Sequence, residues 1–166
     1  MSNLAKRAVA ATLGLGLAVG GIAAPASAQY RQTISNDTSK CSSGAGPAVW
    51  VTVNGIKSSS GRIRVQSYRG TETDWLESGR WINRIETSAR AGSMSFCLPV
   101  PSAGAYGIAV RHDVNGNNKT DIRTDGGAMS NDPSINIFNL GKPSYKKTAF
   151  NVGKGVKSIS VNMRYF

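Results

Sequence analysis

The sequence predicts an all-β protein, built as a single antiparallel β-sandwich of about seven strands. Three observations favour this class. Glycine accounts for 19 of the 166 residues and charged residues for only 17%, a composition typical of β proteins with many turns. Several short segments alternate apolar and polar side chains with the period of two that a half-buried strand requires. Loops rich in turn residues separate these segments, and hardly any stretch has a helical period.

The first three predicted strands occupy residues 48–54, 62–68 and 81–87. The first two alternate regularly, and their apolar residues share one face, which we assign to the core. These inward residues are Val49, Val51, Val53, Ile63 and Val65. The third strand alternates more weakly, and a short helical turn at 73–78 is predicted before it.

The remaining predicted strands occupy residues 92–98, 105–112, 148–152 and 156–165. Pro99 and Pro101 end the first of these, because proline cannot donate a backbone hydrogen bond. In the strand at 105–112, Gly107 and Ala109 lie on the face opposite the large apolar side chains. Residues this small predict that another part of the chain packs closely on that face.

Residues 1–28 have the pattern of a signal peptide. Lys6 and Arg7 precede an uncharged apolar run at 8–24, and residues 26–28 form an A-x-A cleavage site. The run is short and rich in glycine for a transmembrane helix, and no later stretch is apolar enough to form one. We therefore expect export by the general secretory route to the periplasm or the medium, and we do not expect an integral membrane protein.

The exported part is predicted to consist of a flexible N-terminal arm, residues 29–46, and a β-sandwich domain, residues 47–166. The arm is predicted from its polar composition. Cys41 and Cys97 are the two cysteines of the chain, and an oxidising compartment favours one disulfide between them. The alternatives are two free thiols or a redox pair, and the lack of a C-x-x-C motif disfavours a redox pair.

The most informative segment is the polar stretch at 112–132, which holds four of the nine acidic residues. Its oxygen-bearing side chains fall at the first, third, fifth and ninth positions of an EF-hand-type loop, a spacing that suits calcium. A further aspartate follows four residues later. The predicted calcium ligands are Asp113, Asn115, Asn117, Asp121 and Asp125.

Two departures from the EF-hand pattern keep a second interpretation open. Asn118 stands at the sixth position instead of glycine, and Thr124 stands at the twelfth instead of glutamate. Such a site would be weak, with roughly millimolar affinity. The second interpretation is a plain turn, in which Asn and Asp side chains accept hydrogen bonds from their own backbone.

The sequence predicts no catalytic set. One histidine and two cysteines are too few for a finger-type zinc site or an HExxH metalloprotease. His112 and Asp113 are neighbours on a predicted strand and therefore point to opposite faces, so we expect a structural histidine that hydrogen-bonds to the loop it introduces. The alternative from another class is a hydrolase of envelope glycans that uses the aspartates of the polar loop.

The chain is strongly basic, with a formal net charge of +11. The predicted basic face consists of Arg62, Arg64, Arg69 and Arg84. It would suit an anionic envelope polymer or another envelope protein as partner, while export argues against nucleic acid. The alternative is a solvated surface that only keeps the protein soluble.

The order of these motifs resembles the family of small exported proteins called domain of unknown function 2141. The stretch from 104 to 113, followed by Asn115-Gly116-Asn117, is the most specific part, and the resemblance extends from Cys41 to a closing strand at Arg164-Tyr165. Gly107 and Ala128-Met129 depart from the residues usual in the family. The resemblance implies an immunoglobulin-like or transthyretin-like sandwich, export and no established activity. We therefore expect an exported, non-enzymatic binding or structural protein.

Overall fold

The computed structural model describes residues 30–135 and 141–165, which form two β-sheets around a shared hydrophobic core. The predicted signal peptide, residues 1–28, lies outside the described residues. Within the described ranges, no helix has the length and apolar character needed to cross a membrane.

The larger sheet contains seven strands, which are β1 (Gln32–Thr33), β3 (Arg62–Arg69), β4 (Asn83–Ser88), β6 (Gly104–Asp113), β7 (Gly126–Met129), β8 (Phe150–Val152) and β10 (Arg164–Tyr165). Its order is β1-β4-β3-β6-β7-β10, and β8 pairs with the first residues of β6. The smaller sheet has the order β5-β2-β9, with β5 at Gly92–Pro99, β2 at Ala48–Ile56 and β9 at Val156–Asn162. A 3-10 helix at Thr38–Cys41 and the helix α1 at Tyr145–Thr148 complete the described elements.

The all-β prediction is confirmed, but the sheets are mixed and not antiparallel throughout. β9 runs parallel to β2, with Val51 opposite Ile159, and β1 runs parallel to β4. The strand predicted at 156–165 is divided into β9 and β10. The additional strands β1 and β7 have two and four residues, too few for a period of two to be recognised. The helical turn predicted at 73–78 is a series of turns without a helix.

The core contains the residues that the alternation assigned to the inner faces of the strands. Val51 of β2, Ile63 of β3, Phe96 of β5 and Ile108 of β6 are all completely buried. Burial of a side chain of this size stabilises the fold by about 1.5–3 kcal/mol. The inner face is thus fixed by local sequence.

The segment predicted as a flexible arm is attached to the sandwich at several points. β1 pairs with β4, and the predicted disulfide between Cys41 and Cys97 is present. The side chain of Asn36 accepts a hydrogen bond from the backbone N–H of Cys97 at 3.0 Å and donates one to the carbonyl of Ser95 at 2.9 Å. Residues 30–46 therefore belong to the domain, despite a polar composition that predicted a loose arm.

A second, smaller apolar cluster covers part of the outer face of the larger sheet. Its buried members are Tyr68, Trp75, Met129 and Ile135. The Trp75 indole lies on Gly107, where an added Cβ would come within 2.5 Å of the ring. Its Nε1 donates a hydrogen bond to the carbonyl of Pro143 at 2.8 Å. The close packing predicted at Gly107 is confirmed, and the indole occupies one end of this outer face.

Candidate ligand pocket

The outer face of the larger sheet holds a pocket of about 450 Å³, a size typical of small-molecule sites. Its floor comes from neighbouring strands, because Gln66 of β3 lies beside Ala109 of β6, which lies beside Met129 of β7. Residues that lie opposite each other on neighbouring strands point to the same face of a sheet, so these three side chains share the outer face. Loops supply further lining residues, among them Leu76 and Ile122.

Positively charged side chains line part of the pocket, namely Arg64, Arg111 and Lys142. Arg64 forms an ion pair with Glu86 of β4. Arg111 contacts the carboxylate of Asp113 at 3.2 Å and donates to the hydroxyl of Thr120 at 3.2 Å. These contacts fix the two guanidinium groups at the end of the pocket nearest the polar loop.

Asp125 is the acidic residue of the pocket lining. Its two carboxylate oxygens accept hydrogen bonds from the backbone N–H groups of Val114 and Asp121, each at 3.0 Å. The carboxylate therefore closes the polar loop on itself. Both oxygens are engaged by the backbone, and the three basic side chains leave the lining with an excess of positive charge.

Arg84 lies beside the pocket, on the strand position opposite Gln66. Its guanidinium carbon is 3.8 Å from the centre of the Trp81 ring. Burial, reinforced by the positive charge of Arg64, lowers the pKa of Arg84. In the part of the chain that the structure describes, Nε of Arg84, Nε of Arg111 and Nε1 of Trp81 are buried without a hydrogen-bond acceptor, which is costly for polar atoms.

The structure divides the predicted basic face. Arg62 and Arg64 of β3 and Arg84 of β4 lie on the outer face of the sheet. An odd number of positions separates Arg69 from Arg64 on β3, so the Arg69 side chain points to the opposite face. Arg111, which the prediction omitted, lies directly opposite Arg64 in the sheet. Arg111 alternates with Gly107 and Ala109 along the predicted strand, so the sequence already indicated that it lies on the same face as these two residues.

The side chains of three predicted calcium ligands meet within the polar loop. The carboxylate of Asp121 accepts hydrogen bonds from the side-chain amides of Asn115 at 2.8 Å and Asn117 at 2.7 Å. Those two hydrogen bonds lower the pKa of Asp121. The amide oxygens of Asn115 and Asn117 accept from the backbone N–H groups of Asn117 and Lys119, as in an Asx-rich turn.

Asp113 anchors the start of the loop from a buried position. One of its carboxylate oxygens accepts from the backbone N–H of Asn118 at 2.8 Å and contacts Arg111, while the other is buried without a donor among the described residues. Within those residues, no three His, Cys, Asp or Glu side chains form a group that would hold a metal ion. A cation would therefore need the amide oxygens of Asn115 and Asn117 as well as the carboxylates.

His112 is completely buried and has a partner at each ring nitrogen. Nε2 lies 2.8 Å from the carbonyl of Ser60, and Nδ1 lies 2.7 Å from the hydroxyl of Tyr165. Because a carbonyl only accepts, Nε2 carries the proton and donates to it. The predicted structural contacts exist, but they join His112 to Ser60 and Tyr165 and not to the loop that His112 introduces.

Comparison with known proteins identifies a family. A family model described as "Uncharacterized protein conserved in bacteria (DUF2141)" matches residues 51–160. The matched range includes every residue that lines the pocket. No curated protein and no solved structure matches the chain. The resemblance found in the motifs is thereby confirmed.

Proposed function

The chain belongs to the DUF2141 family of uncharacterised bacterial proteins, and from this premise we propose that it is an exported, non-enzymatic protein that binds a small ligand. The observation that carries the proposal is the pocket on the outer face of the larger sheet, whose lining combines apolar and basic side chains. The signal-peptide pattern at residues 1–28 supports export. The disulfide between Cys41 and Cys97 supports it too, because disulfides persist in oxidising compartments.

Two properties of the polar loop support binding over glycan hydrolysis. A hydrolase of this type needs a carboxylic acid whose pKa is raised, so that it holds a proton to donate. The pKa of Asp121 is instead lowered by hydrogen bonds from Asn115 and Asn117. Asp125 uses both carboxylate oxygens to accept from the backbone, which suits a residue that shapes a loop.

The arrangement of the arginines also supports a compact ligand over a long anionic polymer. A polymer would be held by a continuous basic surface along the sheet. Arg69 lies on the opposite side of β3 from Arg64, so the predicted basic face is interrupted. Arg64 and Arg111 instead lie side by side at one end of a pocket with a mainly apolar lining, as in sites where a few polar groups orient a mainly apolar ligand.

Ala109→Phe is expected to abolish binding of an uncharged apolar fluorophore, N-phenylnaphthylamine, to the oxidised protein. Ala109 lies in the floor of the pocket, so an aromatic ring there would occupy the space of the ligand. Fluorescence enhancement on titration measures the binding, and thermal unfolding checks that the variant is folded.

Ala105→Phe is the matched control. Ala105 lies on the same strand and in the same phase as Ala109, but it is exposed and outside the pocket lining. The control should bind the fluorophore as the unmodified protein does. Equal binding by both variants would overturn the pocket as the site of function.

A second candidate function is calcium binding by the polar loop. The observation in its favour is that Asn115, Asn117 and Asp121 meet at one point. Asp113, at the start of the same loop, has a buried carboxylate oxygen without a donor among the described residues. Calcium takes oxygen ligands of these types. The lowered pKa of Asp121 keeps this carboxylate ionised, as a ligand must be.

Calcium is expected to raise the melting temperature, and Asp121→Asn is expected to remove that effect. At ten times a roughly millimolar dissociation constant, binding would stabilise the protein by about 1.4 kcal/mol, or roughly 4 °C for a domain of this size. Thermal unfolding with EDTA and then with calcium measures the shift. Glu77→Gln, the same charge change on an exposed residue outside the loop, should keep it. An unmodified protein that gains nothing from calcium would establish the loop as a plain turn.

A further inference from the structure

We propose that the pocket takes an amphiphilic carboxylate, a molecule with one apolar chain or ring system and a single carboxyl group. This inference rests on the proposed function, because it names the chemistry of the ligand that the pocket would hold. Three features of the pocket support it: an apolar lining, an excess of positive charge and guanidinium groups in the lining.

The apolar lining defines the body of the ligand. Ala109, Met129, Leu76 and Ile135 present hydrocarbon and thioether surface to the cavity. Ile122 also lines it and is 61% exposed, although large apolar side chains are usually covered. A ligand with an apolar body would remove this surface from water, whereas a sugar would bring hydroxyl groups that find few partners there.

The charges around the cavity fit one negative group. Arg64 and Arg111 are each paired with a carboxylate, from Glu86 and Asp113. Arg84 has no salt-bridge partner among the described residues, and the same holds for Lys142 of the lining, while Asp125 contributes one negative charge. The remaining positive charge is small, so a singly charged group is favoured over a phosphate monoester that carries nearly two charges.

Arg111 supplies the donor that a carboxylate needs. Its two terminal nitrogens donate one N–H each to Thr120 and Asp113 and carry a second N–H each, and the side chain lines the cavity and is 19% exposed. A guanidinium group donates to a carboxylate through parallel N–H groups, an arrangement that is stronger than a neutral hydrogen bond. A carboxyl group in the pocket would accept hydrogen bonds from these remaining N–H groups.

The test compares three ligands that share one alkyl chain: octanoate, octanol and octylamine. Each is titrated against the oxidised protein loaded with N-phenylnaphthylamine, and displacement of the fluorophore gives its affinity. Octanoate is expected to bind about tenfold more tightly than octanol, as one charge-assisted hydrogen bond would provide. Octylamine is expected to bind most weakly, because its charge has the same sign as the pocket.

Arg64→Met tests the source of this preference. The variant should lower the affinity for octanoate by a larger factor than that for octanol, because it removes one positive charge from the lining. Arg62→Met is the matched control, because Arg62 lies on the same strand and face but is exposed and outside the lining. Arg64 is preferred to Arg111 for the test, since removal of Arg111 would leave the buried Asp113 without its ion pair.

The possible outcomes separate this inference from the proposed function. Equal binding of octanoate and octanol would overturn the carboxylate while the pocket remained a binding site. Tighter binding of octylamine would overturn it as well. If the fluorophore does not bind, calorimetric titration with octanoate tests whether the protein binds this ligand. The absence of a heat of binding would overturn both proposals. Tight octanoate binding that survives Ala109→Phe would place the ligand elsewhere and would also overturn both.

Discussion

Gly61→Ala is expected to lower the free energy of unfolding by about 2–5 kcal/mol. Gly61 has a φ of +72°, and an added Cβ would lie 1.9 Å from the carbonyl oxygen of Asp113 and 2.6 Å from that of Val114. Both are backbone atoms, and Asp113 is held in place by its pairing with Arg62. The backbone must therefore shift, which adds to the cost of the left-handed conformation.

Gly92→Ala is the matched control for this prediction. Gly92 has a φ of +96°, but no atom lies within 4 Å of an added Cβ. Its substitution should cost only the conformational part, about 1–2 kcal/mol. Denaturant unfolding of the two variants measures the difference. Equal losses would contradict the close approach of the turn between β2 and β3 to the end of β6.

The Gly61 substitution should also weaken ligand binding. Asp113 and Val114 begin the polar loop, and Thr120 and Ile122 of that loop line the pocket. A shift at the start of the loop would move this wall relative to the sheet. We expect Gly61→Ala to reduce fluorophore binding and Gly92→Ala to leave it unchanged.

The sequence predicted which side chains of each strand face the core, but it did not predict which strands lie beside each other. The alternation of Val49, Val51 and Val53 places these residues inward, and all three are completely buried. Alternation says which side of a strand faces the core and nothing about which strand lies beside it. The parallel pairing of β2 with β9, more than a hundred residues later in the chain, therefore had no local signal.

The pocket was largely hidden from sequence reasoning for a related physical reason. Met129 lies in the four-residue strand β7, Ile135 lies in the loop that follows it, and Leu76 lies in a different loop. They line one cavity only because both loops fold over the same face of the sheet. Gly107 and Ala109 gave the available signal, since their small side chains predicted close packing on that face.

The sequence predicted which side chains of the polar loop come together, but it did not predict the hydrogen bonds that they form. The spacing of Asn115, Asn117 and Asp121 correctly indicated that their side chains meet. The amide nitrogens point at the carboxylate, while the amide oxygens accept from the backbone. Asn carries a donor and an acceptor at nearly the same position, so spacing alone does not decide between a cation site and a turn.

Loss of the disulfide between Cys41 and Cys97 is expected to lower the free energy of unfolding by about 4 kcal/mol in the chain-entropy model. The bond joins residues 56 positions apart, so its removal allows the unfolded chain many more conformations. The double variant Cys41→Ala/Cys97→Ala tests this in denaturant unfolding. The oxidised protein with a reducing agent should fall to the stability of the double variant, which should itself be insensitive to the agent.

This loss bears directly on the proposed export. A domain of this size has a total stability of about 5–15 kcal/mol, so about 4 kcal/mol is a large fraction of it. Protein made with residues 1–28 should be recovered oxidised outside the cytoplasm, with the higher melting temperature. Protein made in the cytoplasm without that segment should be reduced and should unfold earlier, until oxidation in vitro restores its stability. Equal melting temperatures before and after oxidation would contradict both the stabilising role of the bond and the support that it lends to export.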